Sequence, residues 1–195
     1  HINKKSNQQN LGTIKSSNLC NEIVEYSDSK EYAVCNLASI AINRCYDVNT
    51  NSYNYDLLHT VAKQATYNLN KIIDINYYPV PETKYSNFKN RPIGVGIQGF
   101  SDLLFIMHLP FESEEALQLS ENILETIYHG CMEASHELAV KYGSYQSFVG
   151  SPLSKGLFQF DLWNKKQSDR YDWSSLRQSI IKDGVRNSLT TALMP

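Results

Sequence analysis

Apolar residues recur along this 195-residue chain at two spacings, and stretches of the two kinds alternate. Between Asp56 and Asp74, Leu58, Val61, Ala62, Ala65, Leu69, Ile72 and Ile73 fall three and four residues apart, which places them on one stripe of a helix. A longer segment from Ser113 to Tyr142 keeps that spacing through Leu117, Leu124, Ile127, Cys131, Leu138 and Tyr142. Its ends are marked as well. Ser113 can cap the N-terminus, Glu114 and Glu115 suit the positive end of the helix dipole, and Gly143 supplies a stop. Trp173 to Lys182 predicts a shorter amphipathic helix, ended by Asp183-Gly184. The other spacing belongs to extended chain. Glu22-Ile23-Val24-Glu25-Tyr26 alternates and is β-branched, Val34 to Ile42 is a short apolar run (a buried strand or the lead-in to a helix), and Ser188 to Met194 reads as an apolar strand entered through Arg186 and Asn187.

Polar punctuation separates these elements. Residues 1–15 read as loop, Ser27-Asp28-Ser29-Lys30 as a turn, and Asn49-Thr50-Asn51-Ser52 as a break. Pro79 and Pro81 predict an irregular connection through Asn90, with Tyr77 and Tyr78 packing beside Pro79. Gly150-Ser151-Pro152 opens an aromatic-rich connection to Trp163, and Lys165 to Asp169 breaks it. Nothing repeats, and no boundary divides residues 1–195, so one α/β unit is expected. Because the chain starts at His1 among polar residues and stops at Pro195 directly after a strand, it is expected to be a piece of a longer polypeptide.

A hydrophobic content of 42% and a net charge of −2 describe a soluble, globular chain with no electrostatic case for nucleic acid or a membrane surface. No apolar run approaches a membrane span, and no signal peptide opens the chain. Cys20, Cys35, Cys45 and Cys131 form no C-x-x-C pair and have no paired histidines, which argues against a zinc site. So few cysteines suit a reducing compartment, here the cytoplasm, where a disulfide would be catalytic.

The chemistry concentrates in Asn18-Leu19-Cys20-Asn21-Glu22, which puts an amide, a thiol and a carboxylate within five residues. In extended chain Asn18, Cys20 and Glu22 would point the same way. On a helix Asn18 and Glu22 would share a face while Cys20 pointed nearly opposite. The triplet therefore predicts strand-like backbone. Its plain alternative is a strand with a buried cysteine and two solvated polar groups. Two other motifs mislead. Gly94-Val95-Gly96-Ile97-Gln98-Gly99 matches a dinucleotide fingerprint but lacks the preceding buried strand and the downstream acidic strand end. Its glycines read as close packing in a short strand before a helix at Phe100–Met107. Glu133-Ala134-Ser135-His136 is a single Glu-x-x-His where a di-iron bundle needs two, so His129 and His136 read as surface or rim histidines and Cys131 as core.

Several segments together carry a resemblance. Lys5 to Lys15 running into Ser17-Asn18-Leu19-Cys20, Ala33-Val34-Cys35-Asn36-Leu37-Ala38-Ser39, Asn76-Tyr77-Tyr78-Pro79, Arg91-Pro92-Ile93-Gly94, Glu125-Thr126-Ile127-Tyr128, Arg186-Asn187-Ser188-Leu189 and Ala192-Leu193-Met194-Pro195 lie in this order along the chain. With them the chain resembles the catalytic large subunits of class I ribonucleotide reductases, of the eukaryotic type, over essentially its whole length.

The resemblance implies a ten-stranded α/β barrel, of which this is a C-terminal-side portion, with a central finger loop carrying the radical cysteine. It implies reduction of ribonucleoside diphosphates to deoxyribonucleotides. Cys20 would be the thiyl radical that removes the 3′-hydrogen, Glu22 the base for the 3′-hydroxyl, and Asn18 the amide that orients the hydroxyls, with Leu19 beside them at the substrate. Cys35 would be one member of the redox pair, its partner lying upstream of residue 1. No cofactor is expected on this piece: the radical comes from a metal-containing small subunit, and ATP and dNTP effectors bind elsewhere. Further implied partners are a thioredoxin- or glutaredoxin-type reductant and a second large subunit in a homodimer or higher oligomer. The phosphate loop and the relay tyrosines would follow Pro195, so the piece alone should be inactive. Two readings of other classes compete with this one. Cys20 could serve a hydrolase or transferase as nucleophile, with Glu22 as base and Asn18 in an oxyanion hole, although no histidine lies near in sequence. Alternatively, the chain would be a helical interaction module with incidental cysteines. A nucleophile should be acidified, whereas a radical cysteine need not be.

Overall fold

The apolar periodicity becomes long helices laid on a small parallel sheet. The computed structural model describes residues 2–193. A 3-10 turn at Ile2–Lys5 and irregular backbone lead to β1 (Asn36–Ala41), a 3-10 turn at Ile42–Cys45, and a small antiparallel hairpin of β2 (Tyr46–Asp47) and β3 (Ser52–Tyr53). Then come α1 (Tyr55–Ile75), α2 (Pro81–Asn90), β4 (Ile93–Gln98), α3 (Phe100–Ile106) and α4 (Glu114–Tyr142). A 3-10 turn at Leu153–Lys155, the short α5 (Gln159–Leu162) and α6 (Trp173–Asp183) complete the order.

β1 and β4 pair in parallel from Asn36 opposite Ile93 to Ala41 opposite Gln98, with α1 and α2 making the crossover that a parallel pair requires. The expected last strand is reduced to a single parallel bridge, Val95 to Thr191. The backbone there still runs beside β4: the N–H of Ile93 donates to the Leu189 carbonyl at 3.0 Å, and that of Ala192 to the Val95 carbonyl at 3.1 Å. Met194, the end of that expected strand, lies outside the described residues, as do His1 and Pro195.

Gly94 of β4 serves close packing, as expected, and lies within the strand rather than in a phosphate-binding turn after it. A Cβ on Gly94 would stand 2.4 Å from Leu37 Cδ2 and 2.8 Å from Ala192 Cβ, so neighbouring backbones come together only because that atom is missing. The predicted connection after Pro79 is instead helical. Pro81 occupies the first turn of α2, where its fixed φ fits and its missing N–H is not needed. Tyr78 packs edge-on against Phe88 of that helix, while Tyr77 is exposed.

The helices bury stripes that differ from the apolar pattern alone. On α1, Leu58, Ala62, Leu69 and Ile73 are core, with Thr66 and Asn70 between them, whereas Val61 and Ile72 sit at the margin. On α4 the buried face runs through Ala116, Leu119, Ile123, Ile127, Gly130, Cys131, Ala134 and Ser135, and Leu117 and Tyr142 face outward. Small residues hold this face because α1 comes so close: a Cβ on Gly130 would meet the His59 carbonyl oxygen at 2.9 Å. One core unites Ile40, Ile42, Leu58, Ile73, Ile93, Val95, Leu103, Ile123 and Ile127. A second, aromatic core gathers Met132, Tyr145, Phe158, Trp173 and Ile180. Each fully buried side chain of this size contributes about 1.5–3 kcal/mol.

Asn187 is buried and joins four segments. Its Nδ2 donates to the Arg91 carbonyl at 2.7 Å and to Asn70 Oδ1 at 3.1 Å, and its Oδ1 accepts from Asn70 and from Ser135, each at 2.9 Å. Arg91, in the left-handed region at φ 44°, reaches Asp74 with one nitrogen at 2.7 Å and the Asn70 carbonyl with the other at 3.0 Å.

Candidate functional site

The Asn18–Glu22 stretch folds as a turn rather than the predicted strand. The Asn18 N–H donates to the Ile23 carbonyl at 3.3 Å, the Asn21 N–H donates to the Asn18 carbonyl at 3.2 Å, and Asn21 is left-handed at φ 65°. Asparagine tolerates that conformation and closes turns with its own side chain, which outweighs the β-branched pattern that follows. Asn18 Oδ1 accepts from the Ile23 N–H at 3.0 Å, while its Nδ2 donates to Glu22 Oε1 at 2.5 Å. Turn closure, and not strand alternation, therefore brings Asn18 and Glu22 together. Cys20 stands at the exposed apex beside Leu19, whose side chain is also in solvent. From Ile23 to Tyr26 the backbone pairs with no strand among the described residues, and the Tyr26 N–H donates to Gln8 Oε1 at 2.8 Å. Gln8 is itself buried and donates to Ser188 Oγ at 3.0 Å, so the polar N-terminal loop is tied to the last segment beside β4.

Cys35 lies half-buried at the entrance to β1, its thiol directed to the Asn36 carbonyl at 3.7 Å. A Cβ on Gly94 would stand 3.6 Å from its sulfur, so β4 forms one wall of its surroundings. Glu25 and Glu22 are the acidic groups near it. Burial raises the Cys35 thiol well above its ordinary range, and the carboxyl groups of Glu25 and then Glu22 push the same way. Glu25 is buried, and burial lifts its carboxyl to about 8, opposed only by its contact with Cys35. Glu25 Oε1 and Glu22 Oε2 are buried without a hydrogen-bond partner of ordinary geometry among the described residues. The four cysteines are free thiols.

Of the predicted residues, the fold thus joins Asn18 to Glu22 and sets Glu22 near Cys35, while Cys20 projects from the turn. Glu25 was not anticipated. Its signal was a carboxylate inside an apolar alternating run, where burial costs most. His129 is buried rather than on a surface or rim, and faces His59 at 2.8 Å; burial and the neighbouring His59 hold it at about 4. Cys131 is in the core, as expected.

Residues 1–195 match the family model described as ribonucleotide reductase, barrel domain. The chain belongs to that family. It is 59% identical over 197 residues to ribonucleoside-diphosphate reductase large chain 2 of Saccharomyces cerevisiae, a match covering 99% of this chain and 23% of that protein. Similar matches are to the large subunits of Danio rerio, at 54% identity over 193 residues, and Arabidopsis thaliana, at 50% over 211 residues. Each covers 99% of this chain, with 24% and 26% of the relative's length. The chain spans about a quarter of the length of these relatives. Its helices and parallel strands make it an α/β member. Among the described residues no helix is long and apolar enough to cross a membrane.

Proposed function

We propose that this chain is the part of a ribonucleoside-diphosphate reductase large subunit that carries the radical cysteine, its base and one reducing thiol. The supporting observation is the turn in which Asn18 and Glu22 are hydrogen-bonded at 2.5 Å with Cys20 between them at the apex. A thiyl at Cys20 removes the 3′-hydrogen of the ribose. Glu22 accepts the 3′-hydroxyl proton while the 2′-hydroxyl, protonated by a thiol of the reducing pair, leaves as water. Asn18 holds the hydroxyls and Glu22 in register. Cys35 and a partner thiol from outside this chain, one of which has given its proton to the departing water, deliver a hydrogen atom to C2′ and an electron to the 3′-carbonyl and become a disulfide; Glu22 returns its proton to O3′, and Cys20 returns hydrogen to C3′, restoring the thiyl. Burial and neighbouring carboxyls keep the Cys35 thiol protonated, the form that can donate. The exposed apex fits the tip of a finger loop inside a ten-stranded barrel, to which β1, β4 and residues 188–193 would contribute. Enclosure there would shield the radical from water and stray reductants.

In this reading the partners are a ribonucleoside diphosphate, a metal-containing small subunit that generates the radical, a thioredoxin- or glutaredoxin-type reductant, and further large subunits. The setting is cytoplasmic. The test uses the complete large subunit with its small subunit and a substrate tritiated at C3′. Cys35→Ser is expected to release tritium without forming deoxynucleotide, and Cys20→Ser to do neither. Tritium release by Cys20→Ser would remove the radical from Cys20. A cysteine hydrolase would instead need a depressed thiol pKa at Cys20.

A further inference from the structure

Away from that site, α1 and α4 cross closely where Gly130 leaves room for the His59 carbonyl and Ala62, and the crossing brings three potential metal donors together. His59 lies on α1, and His129 and Glu133 lie on α4, where a spacing of four residues puts them on one face. His59 Nε2 and His129 Nδ1 are 2.8 Å apart, and His59 Nε2 is 3.7 Å from Glu133 Oε2. All three ligand atoms lie within 4.8 Å of one another. Donors about 2.0–2.2 Å from a tetrahedral Zn²⁺ are separated by roughly 3.4 Å, a value the two shorter distances bracket.

The surroundings favour a defined site. Tyr171 stacks on His129 at 4.3 Å and on His59 at 5.4 Å, and Trp173 meets His129 edge-on at 4.9 Å, so both imidazole planes are held. Lys63 now pairs with Glu133 at 2.9 Å, but it also pairs with Glu137 at 2.7 Å. Tyr67 hydrogen-bonds Glu137 as well. Lys63 therefore keeps a carboxylate if Glu133 turns to an ion. The two imidazoles share one hydrogen bond, and in the loaded state that contact is exchanged for two metal–nitrogen bonds.

We propose that His59, His129 and Glu133 form a structural binding site for a divalent first-row transition metal, Zn²⁺ by ligand type, that clamps α1 to α4. The mixed nitrogen and oxygen donors select this class over Mg²⁺ or Ca²⁺, which prefer all-oxygen sites. Three protein ligands leave a fourth position for water. The clamp does not depend on the assignment of Cys20 or Cys35.

The test uses the complete large subunit with its cysteines blocked by alkylation, dialysed against Zn²⁺ or Co²⁺ and assayed for bound metal. The wild-type protein is expected to bind one ion per chain that His59→Gln and Glu133→Gln bind at least tenfold more weakly. The Co²⁺ form should show the visible d–d spectrum of a four-coordinate nitrogen and oxygen set, and Zn²⁺ should raise the thermal midpoint of the wild type alone. Both variants alter half-buried positions, so circular dichroism of the metal-free proteins verifies that they are folded. His129→Gln, at the buried position, is the stronger perturbation. Equal binding by wild type and the two folded variants, or a Co²⁺ spectrum unchanged by both, overturns the proposal.

Discussion

Replacing Glu25 with glutamine should change how stability depends on pH. Glu25 is 5% exposed, and burial raises its carboxyl from 4.5 to about 8. Unfolded chain releases this proton near 4.5, so between the two values the folded protein holds one proton more. The stabilisation is complete below the lower value and is lost as pH rises through the upper one. One pH unit of this separation corresponds to about 1.4 kcal/mol, so the interval amounts to about 5 kcal/mol. Glutamine keeps the shape and has no proton to release. Urea unfolding of both proteins from pH 5 to 9 should show the wild type losing stability relative to Glu25→Gln by about 1.4 kcal/mol per unit, then levelling above pH 8. Titrations not coupled to Glu25 are common to both proteins and cancel in the difference. A flat difference, within about 1 kcal/mol over that range, would mean the folded protein solvates the ionised carboxylate, and the argument from burial fails. A second readout is the thiol. With the Glu25 charge removed, alkylation of Cys35 at pH 9 should be faster in the variant, because that carboxylate otherwise opposes thiolate formation.

Gly94→Ala should destabilise by about 1–3 kcal/mol, since Leu37 can rotate away but Ala192 Cβ cannot move without its backbone; a lower urea midpoint measures this. Asn187→Ala, which leaves the buried Arg91 carbonyl without its partner and removes two of the hydrogen bonds of the Asn70 amide, should cost at least about 2 kcal/mol in the same assay. Asn18→Ala should open the turn, and the Ile23 amide is expected to exchange about three- to tenfold faster with deuterium while α1 amides are unaffected.

The helices were legible because a period of 3.6 survives in the sequence even where polar residues interrupt it. Which face of α4 is buried was not, because that face includes Gly130, Ala134 and Ser135, small residues that carry no apolar signal, while Leu117 and Tyr142 of the apolar pattern face outward. Pro81 has the sequence signature of a breaker, although at the first turn of a helix it is an initiator. The residues of the candidate site were visible as a triplet, but their backbone was not: alternating Ile23 and Val24 suggested a strand, while Asn18 and Asn21 close a turn. The meeting of His59 with His129 joins segments 70 residues apart in sequence. No local pattern carries such contacts.

The Asn187 network bears on the order in which the chain assembles during synthesis. Asn70, Arg91 and Ser135 are all made before Asn187, by 117, 96 and 52 residues. Until Asn187 emerges, their buried polar groups lack the partner that lets the core close without penalty. α1 and α4 can already meet through Leu58, Ala62, Ile123 and Ile127, but the polar groups beside them stay unsealed until the last segment arrives. Nascent chains arrested with Asn187 still inside the ribosome should therefore leave α1 and α4 more protease-sensitive than chains from which it has emerged.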